Sequence, residues 1–213
     1  CLPGYQLILE GSPTSATNLE WFLQTFLRRQ GQTFCGYDAV NRMVEQSDLH
    51  SSILFLPFLY GTNVNIDAKG TFVGLKGGHG MGDMLRAIYE GVVFCHMYHI
   101  DRLLKFRDPP KAVRIAGGGA RSAVWMQIFA DALGAQVEVS EAEELGAMGA
   151  AMAAGVGVGV FGDMYQAVER FTGIRRVYQP NPEKHAYYQK KYAMYRRLID
   201  ALDPLWGDIE ALS

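Results

Sequence analysis

The sequence predicts an α/β protein, and three observations support that prediction. Ala112–Ala116 reads as a short strand, followed by a glycine turn, a helix at Ser122–Leu133 and a second strand at Gln136–Val139. This order is typical of a βαβ unit. Long helical patterns lie on both sides of the unit. Nearly half of the 213 residues are apolar (49%), which is enough to bury a sizeable core in one domain or slightly more.

The N-terminal quarter predicts one strand and two helices. Tyr5–Leu9 is expected to form a short strand after a Pro-Gly turn. Asn18 is a plausible N-cap for a helix that runs to about Gln30. Its core face is predicted from apolar residues at helical spacing, namely Leu19, Phe22, Leu23, Phe26 and Leu27. A second helix is expected at Asp38–Glu45.

The central part predicts a buried run, a glycine-rich connection and a long helix. Ile53–Phe58 is a continuous apolar stretch, and Gly61–Gly80 connects it to the helix with a short strand at Thr71–Val73. The helix is expected at about Asp83–Lys105 and ends before two prolines. Its apolar stripe consists of Leu85, Ile88, Tyr89, Val92, Val93, His96, Ile100 and Leu103.

Three further helices are predicted after the βαβ unit, at Leu145–Ala154, Met164–Phe171 and Asn181–Leu202. The uncharged run Leu145–Gly162 has the minimum length of a membrane span, but its six glycines favour a small-residue helix with a broken end. The Tyr, Lys and Arg residues of Tyr187–Arg197 are interpreted as a solvated helix face. A weak partner surface is the alternative interpretation there.

Composition excludes some classes of partner. Twenty basic residues oppose 22 acidic ones, so the chain lacks the positive surplus that nucleic acids and anionic membranes require. The three cysteines are far apart and show no CxxC spacing, which indicates a reducing, cytoplasmic setting. The chain begins at Cys1 rather than Met and has no signal-peptide pattern, so we expect it to be a piece of a longer protein.

Gly117, Gly118 and Gly119 give the strongest indication of a site. Glycines between a strand and a helix allow a flat ligand or a phosphate to approach the backbone closely, although a simple tight turn would use them as well. A dinucleotide-binding site is a further alternative, because Gly117, Gly119 and Ser122 occupy the three glycine positions of G-x-G-x-x-G. In that alternative, Glu138 would be the acid that binds ribose.

Three other groups of residues carry weaker indications. Lys76–Asp83 is not a P-loop, because its lysine precedes the glycines, and we expect a connection with Asp83 capping the next helix. His96 and His99 lie three residues apart on one helix, but no third metal ligand is evident, which favours packing. Cys95 has no neighbouring base to activate it as a nucleophile.

Several motifs in the right order resemble the C-terminal part of the FGGY carbohydrate kinases. Ile115–Gly134 and Glu144–Gly155 are similar to the C-terminal signature of that family, and Arg86–Val93 is similar to its RA-x-x-EG helix. Ser12–Trp21 and Leu56–Asn63 resemble the branch of the family that acts on L-xylulose and 3-keto-L-gulonate. The resemblance covers nearly the whole chain.

The resemblance implies an actin-like, ribonuclease H-like ATPase domain: a mixed sheet flanked by helices and truncated at its N-terminus. Residues 1–213 would be the C-terminal ATP-binding domain, and the N-terminal sugar-binding domain would lie outside this chain. The implied nucleotide-binding residues are Gly117, Gly118 and Gly119 at the adenosine, Ser122 at the adenine edge, and Ala16, Thr17 and Glu20 near the ribose and α-phosphate. Relatives commonly carry glycine near Ala16 or Thr17, where this sequence has side chains.

The resemblance also implies a reaction, the phosphorylation of a small ketose or keto-sugar acid by ATP and Mg²⁺. L-Xylulose or 3-keto-L-gulonate is the first expectation, and D-xylulose or L-ribulose the next. The family's catalytic aspartate belongs upstream, so no catalytic residue and no metal ligand is assigned here, and the chain alone is expected to be inactive. A non-catalytic nucleotide-sensing or dimerisation module is the alternative function.

Expected partners follow from the same resemblance. The sugar would bind through the other half of the protein, and neither nucleic acid nor a membrane is expected. Tyr5–Leu9 is similar to the third strand of a meander whose first two strands are not in this chain. We therefore expect another fragment or a second copy of the chain, as in a homodimer, to cover that sheet edge.

Overall fold

The structure is a computed structural model that describes residues 7–12, 15–28, 36–142 and 144–212. Its helices are α1 Thr17–Phe22, α2 Gly36–Gln46, α3 Met81–Leu103, α4 Ala123–Leu133, α5 Leu145–Gly157, α6 Met164–Phe171, α7 Pro182–Leu202 and α8 Trp206–Glu210. Its strands are β1 Leu54–Leu56, β2 Thr71–Val73, β3 Ala112–Ile115, β4 Gln136–Ser140 and β5 Ile174–Tyr178. The predicted α/β class is therefore confirmed.

Helix α3 lies at the centre of the molecule. Every residue from Leu85 to Cys95 is buried, so this part of the helix is enclosed on all sides, where the sequence predicted a one-sided stripe. β1 packs closely against it, because Gly91 brings the two backbones together and an added Cβ there would clash with the Phe55 carbonyl oxygen. Three stripe residues, His96, Ile100 and Leu103, are only half-buried.

The described residues form two small sheets, of which the first packs against α3 and the second against α4. β1 pairs antiparallel with β2 through Leu54–Val73, Phe55–Phe72 and Leu56–Thr71. The second sheet is mixed, as expected, with strand order β3-β4-β5. β3 and β4 are parallel and joined through α4, whereas β4 and β5 are antiparallel. The βαβ unit predicted from the sequence is confirmed.

The first helix differs from its prediction in its start and its path. Ala16, not Asn18, occupies the N-cap position, because the Ala16 carbonyl already accepts the backbone N–H of Glu20. Asn18 lies inside the helix, fully buried, and donates to the Ser15 carbonyl (3.1 Å). Residues 23–28 continue as a π-helix, whose wider turn rotates Phe26 out of the predicted core face. The predicted end at Gln30 lies outside the described residues.

The last long helix corrects the prediction of a solvated face. Tyr188, Tyr192 and Tyr195 are buried at a helical spacing, and Lys191 is buried beside them. The Tyr192 hydroxyl donates to Asp101 (2.6 Å) and the Tyr188 hydroxyl to Glu90 (3.3 Å). Tyrosine serves here as an apolar body with a polar end that finds a partner inside the fold. The helix was predicted to begin at Asn181; it begins at Pro182, and Asn181 is its N-cap.

Two C-terminal elements were missed, and one N-terminal element is only partly described. β5 was not predicted, because Arg175 and Arg176 interrupt its apolar pattern at the edge of the sheet. α8 was not predicted either. Of the expected strand Tyr5–Leu9, Tyr5 and residue 6 lie outside the described residues, and Leu7–Leu9 form no strand. No helix within the described ranges is long and apolar enough to cross a membrane.

Candidate functional site

The glycine turn that follows β3 leaves open space above the backbone. Gly117 has a φ of 92°, a conformation that side chains disfavour, so glycine is required there. Residues 118–121 then form one turn of 3₁₀ helix. An added Cβ at Gly118 would meet no atom within 4 Å, and at Gly119 it would touch only the Trp125 ring. A flat ligand could therefore rest directly on this turn.

A cavity of about 520 Å³ lies over the turn and brings two distant parts of the chain together. This volume falls within the usual range for small-molecule sites, roughly 300–1,000 Å³. Six of the residues predicted for the nucleotide line it, namely Ala16, Thr17, Glu20, Gly118, Gly119 and Ser122. Gly117, the remaining predicted residue, lines an adjoining cavity of about 570 Å³ together with Gly118, Gly119, Ala16 and Thr17.

Side chains from α2, α3 and α4 form the far wall of the first cavity. Asn41 is part of this wall, and its Oδ1 accepts hydrogen bonds from the Ser122 hydroxyl (2.7 Å) and the Tyr89 hydroxyl (2.9 Å). Burial raises the pKa of Tyr89 to about 12, so its hydroxyl stays protonated and able to donate. The Tyr89 ring stacks on Trp125 at 4.3 Å, and the Trp125 indole N–H donates to the Tyr89 carbonyl.

Glu20 lies at the cavity mouth and is held by three donors. Its Oε2 accepts from the Tyr37 hydroxyl (2.7 Å), and its Oε1 accepts from Gln24 (2.8 Å) and Arg28 (2.6 Å). Hydrogen bonds from Tyr37 and Gln24, helped by the Arg28 charge, hold the pKa of Glu20 below its ordinary value. The carboxylate is therefore ionised at neutral pH and oriented by its neighbours.

Ala16 shows that this segment does not depend on the glycine that relatives commonly carry. Its backbone is right-handed helical, with φ −58° and ψ −18°. No non-glycine residue in the described part of the chain has a positive φ. The side chains at Ala16 and Thr17 therefore occupy the cavity rim without backbone strain.

Two other residues that the sequence analysis considered, Glu138 and Asp83, make structural contacts outside the cavity. Glu138 forms an ion pair with Arg114 on the neighbouring strand (2.9 Å) and lines none of the cavities beside the glycine turn, which removes the acid that the dinucleotide alternative requires. Asp83 accepts the backbone N–H of Gly80 (2.9 Å) and so caps α3, as predicted.

His96, His99 and Cys95 pack α3 against the N-terminal segment. His96 contacts the Ser15 hydroxyl (3.2 Å), and His99 contacts Glu10 (3.1 Å). Burial raises the pKa of the Cys95 thiol to about 11, which keeps it protonated and unreactive at neutral pH. Among the residues described, no group of three or more His, Cys, Asp or Glu is arranged to hold a metal ion.

Sequence reasoning missed much of the cavity wall. Tyr37, Asn41, Tyr89 and Trp125 all line the cavity, yet each belongs to a helix whose local pattern signals only packing. Asn41 gave no local signal, since a polar residue on an amphipathic helix is ordinarily interpreted as solvated. Its role depends on α2 and α4 meeting in space, which no local pattern encodes.

Comparison with known proteins agrees with this fold. Residues 4–158 match the model of the C-terminal domain of the FGGY family of carbohydrate kinases. The L-xylulose/3-keto-L-gulonate kinase of Escherichia coli K12 is 39% identical over 200 residues, and a probable L-xylulose kinase of Pasteurella multocida is 38% identical. A ligand-bound xylulose kinase from Lactobacillus acidophilus superposes with a TM-score of 0.83 at 25% identity, covering 93% of this chain and 40% of that one.

The fold thus defines an actin-like ATPase domain, in which a cavity of about 520 Å³ lies beside a glycine turn. The chain belongs to the FGGY family of carbohydrate kinases. The match to the Escherichia coli kinase includes 93% of this chain but only 39% of that relative's length.

Proposed function

We propose that this chain is the nucleotide-binding half of a kinase that phosphorylates a small ketose or keto-sugar acid. The observation that supports this most strongly is the single cavity that unites Gly118–Ser122 with Ala16–Glu20. These two segments are far apart in sequence. They are the segments that the family resemblance assigns to adenosine and to the ribose and α-phosphate.

Within this proposal, the chain's residues bind and orient ATP, which supplies the γ-phosphoryl group. The backbone of Gly117–Gly119 would lie against the purine, and the ionised Glu20 would accept a ribose hydroxyl at Oε2, which has one described donor. Mg²⁺ is commonly held by substrate phosphates with one or two carboxylates, and we assign it to the phosphates of ATP and to no side chain of this chain.

The transfer forms a bond from the γ-phosphorus to a primary hydroxyl oxygen of the sugar and breaks the bond to the β–γ bridging oxygen, so that ADP leaves. The hydroxyl proton passes to a base, and no residue here is assigned that role. Phosphoryl transfer depends mainly on positioning and charge stabilisation. A domain that holds only the nucleotide should therefore bind ADP without phosphorylating sugar.

The relatives supply the expected sugars. Two relatives, 39% and 38% identical to this chain, are named for L-xylulose, and one of them is also named for 3-keto-L-gulonate. These two sugars are therefore proposed first, with D-xylulose and L-ribulose next. The test measures ADP release in a coupled assay over these four sugars. It compares the natural polypeptide that contains these 213 residues with the 213-residue chain alone and with Gly118→Ala in the natural polypeptide.

We expect the natural polypeptide to turn over one ketose, and the 213-residue chain to bind ADP without turnover. Gly118→Ala should lose most of the activity, because its methyl group would occupy the cavity. ADP binding without turnover on any sugar would favour the non-catalytic nucleotide-sensing module. Binding of NADH in preference to ADP would instead support a dinucleotide-dependent enzyme.

A further inference from the structure

The resemblance points to Ser122 as the polar residue at the adenine edge, but the hydroxyl of Ser122 is already engaged. It has one proton to donate, and the nearest acceptor is Oδ1 of Asn41 at 2.7 Å. The Ser122 hydroxyl oxygen also accepts the backbone N–H of Trp125 (3.1 Å), as the N-cap of α4. A base that bonded to Ser122 would have to compete with both interactions.

Asn41 is held in one orientation by its neighbours. Its Oδ1 has two lone pairs, and the hydroxyls of Ser122 and Tyr89 take both. These hydroxyls come from different elements, α3 and the start of α4, so the amide plane is fixed from two sides. The opposite end of the carboxamide, Nδ2, makes no hydrogen bond to any residue that the structure describes.

The free Nδ2 group belongs to a half-buried residue of the cavity wall. The wall around it is largely aromatic and aliphatic, formed by Tyr89, Trp125 and Leu19. In such surroundings, the Nδ2 donor of Asn41 restricts which ligand atom can bind opposite it. A ligand atom that accepts no hydrogen bond would leave Nδ2 without water and without a partner, which costs binding free energy. The matching ligand atom is a hydrogen-bond acceptor.

We propose that Asn41, oriented by Ser122 and Tyr89, is the residue that recognises the nucleobase, and that its Nδ2 donates a hydrogen bond to a ring nitrogen of adenine. This inference rests on the proposed function. Ser122 becomes a positioning residue that acts through Asn41. A carboxamide with both acceptor lone pairs occupied presents donors only, so it pairs with an unprotonated ring nitrogen and rejects an N–H at the same place.

The test compares ADP with 1-deaza-, 3-deaza- and 7-deaza-ADP, each of which replaces one ring nitrogen acceptor by C–H. Dissociation constants are measured by calorimetry on the natural polypeptide that contains these 213 residues. One analogue should bind roughly 3- to 10-fold more weakly than ADP, the range expected for one net hydrogen bond. This series requires no variant, so it remains informative even if a substitution prevents folding.

Asn41→Asp is the matched variant. The carboxylate still accepts from Ser122 and Tyr89, but it has no donor for the base. ADP binding should weaken by the same roughly 3- to 10-fold, and the variant should no longer distinguish ADP from the discriminating analogue. Repeating the titration with uncharged adenosine separates the lost donor from repulsion between the new charge and the phosphates, and thermal melting verifies the fold.

Three outcomes overturn the inference. In the first, the wild-type chain binds ADP and all three analogues equally. In the second, Asn41→Asp keeps the wild-type discrimination. In the third, Ser122→Ala abolishes discrimination while Asn41→Asp retains it, which would make Ser122 the direct contact. In each of these cases the natural polypeptide still binds ADP, whereas a natural polypeptide that binds no ADP would overturn the proposed function itself.

Discussion

Gly117 and Gly118 are adjacent glycines, but the turn itself requires only Gly117. Gly117 has a positive φ, so the requirement belongs to the backbone itself. Gly118 has no such conformation, and an added Cβ there would meet nothing in the protein. The absence of its side chain therefore matters only when a ligand lies over the turn.

Substituting these two glycines should separate stability from binding. Gly117→Ala should lower the free energy of unfolding by about 1–2 kcal/mol through backbone strain and weaken ADP binding as well. Gly118→Ala should leave the unfolding free energy within about 0.5 kcal/mol of the wild type and still weaken ADP binding. Urea denaturation and calorimetry measure both quantities. Undiminished ADP affinity in Gly118→Ala would place the nucleotide elsewhere.

Glu90 and Lys191 form a buried ion pair between α3 and α7. The Lys191 ammonium lies 2.6 Å from Glu90 and 2.8 Å from the Ser51 carbonyl, and Arg86 lies 3.6 Å from Glu90 on the same helix. Burial raises the pKa of Glu90, while Lys191 and Arg86 act in the opposite direction. Removing the lysine alone would leave a buried carboxylate with a weaker partner.

Lys191→Met should lower the free energy of unfolding by roughly 3–5 kcal/mol at neutral pH. The pKa of Glu90 is higher in the folded chain than its ordinary value of 4.5, so the folded chain binds this proton more tightly than the unfolded chain does. The free energy of unfolding therefore falls as the pH rises above 4.5 and Glu90 becomes ionised. The loss in Lys191→Met should therefore be smaller at pH 5 than at pH 8, as urea denaturation at both pH values would reveal.

The double variant Glu90→Gln/Lys191→Met is the control for this pair. It removes both charges of the pair, and replacing both partners of a buried pair is less harmful than removing one. Arg86 loses the Glu90 carboxylate but keeps its hydrogen bonds to Ser47 and the Val44 carbonyl, so the double variant should recover part of the stability lost in the single variant. If Lys191→Met lost the same free energy of unfolding at pH 5 and at pH 8, the cause would be lost packing and not the unpaired Glu90 carboxylate.

At the scale of elements, the close approach of β1 to α3 depends on one glycine. Gly91 lies against the Phe55 carbonyl oxygen and side chain. Gly91→Ala should lower the unfolding free energy by about 1–3 kcal/mol, because an added methyl group overpacks a rigid contact. Thermal or urea denaturation would measure the change.

Gly149 in α5 provides the matched control for Gly91. It is also a helical glycine, but an added Cβ there meets nothing within 4 Å. Gly149→Ala should be neutral or raise the unfolding free energy by up to about 1 kcal/mol, since alanine has the higher helix propensity. If both variants gained stability, the close packing of β1 on α3 would be contradicted.

The sequence predicted the strongly periodic elements well and the irregular ones poorly. α2, α4, α6 and the β3–α4–β4 unit have clear apolar patterns or distinct caps, and their predicted bounds lie within two residues of the structure. The π-helical turn at Leu23–Arg28 and the edge strand β5 have no such local signal. Their conformations depend on neighbours that are distant in the sequence.

At the scale of the whole molecule, burial divides the chain into a stable centre and an exposed margin. α3 is enclosed along most of its length, whereas Met152 is the only fully buried residue of α5. Val158 and Val160, just beyond α5, are exposed by 77% and 68%. We therefore expect α5 and the residues just after it to unfold locally while α3 stays folded.

Hydrogen exchange followed by mass spectrometry should reveal this division. Amides in the middle of α3 should exchange only through global unfolding, and those of α5 at least about tenfold faster. ADP should slow exchange in the glycine turn and in α2, which line the cavity, and leave α6 unchanged. Equal protection of α3 and α5 would contradict the proposed difference in local stability.

The sequence by itself determined the fold class, the central βαβ unit and six of the residues that line the first cavity. Periodicity, capping residues and glycine turns are local properties, and the family motifs identify segments even when they are far apart. The tertiary structure decided that Asn41 orders the cavity wall, that three α7 tyrosines are buried and that Glu138 is paired with Arg114. Each of these depends on which helices and strands come into contact, and contact between distant segments is set by packing of the whole chain.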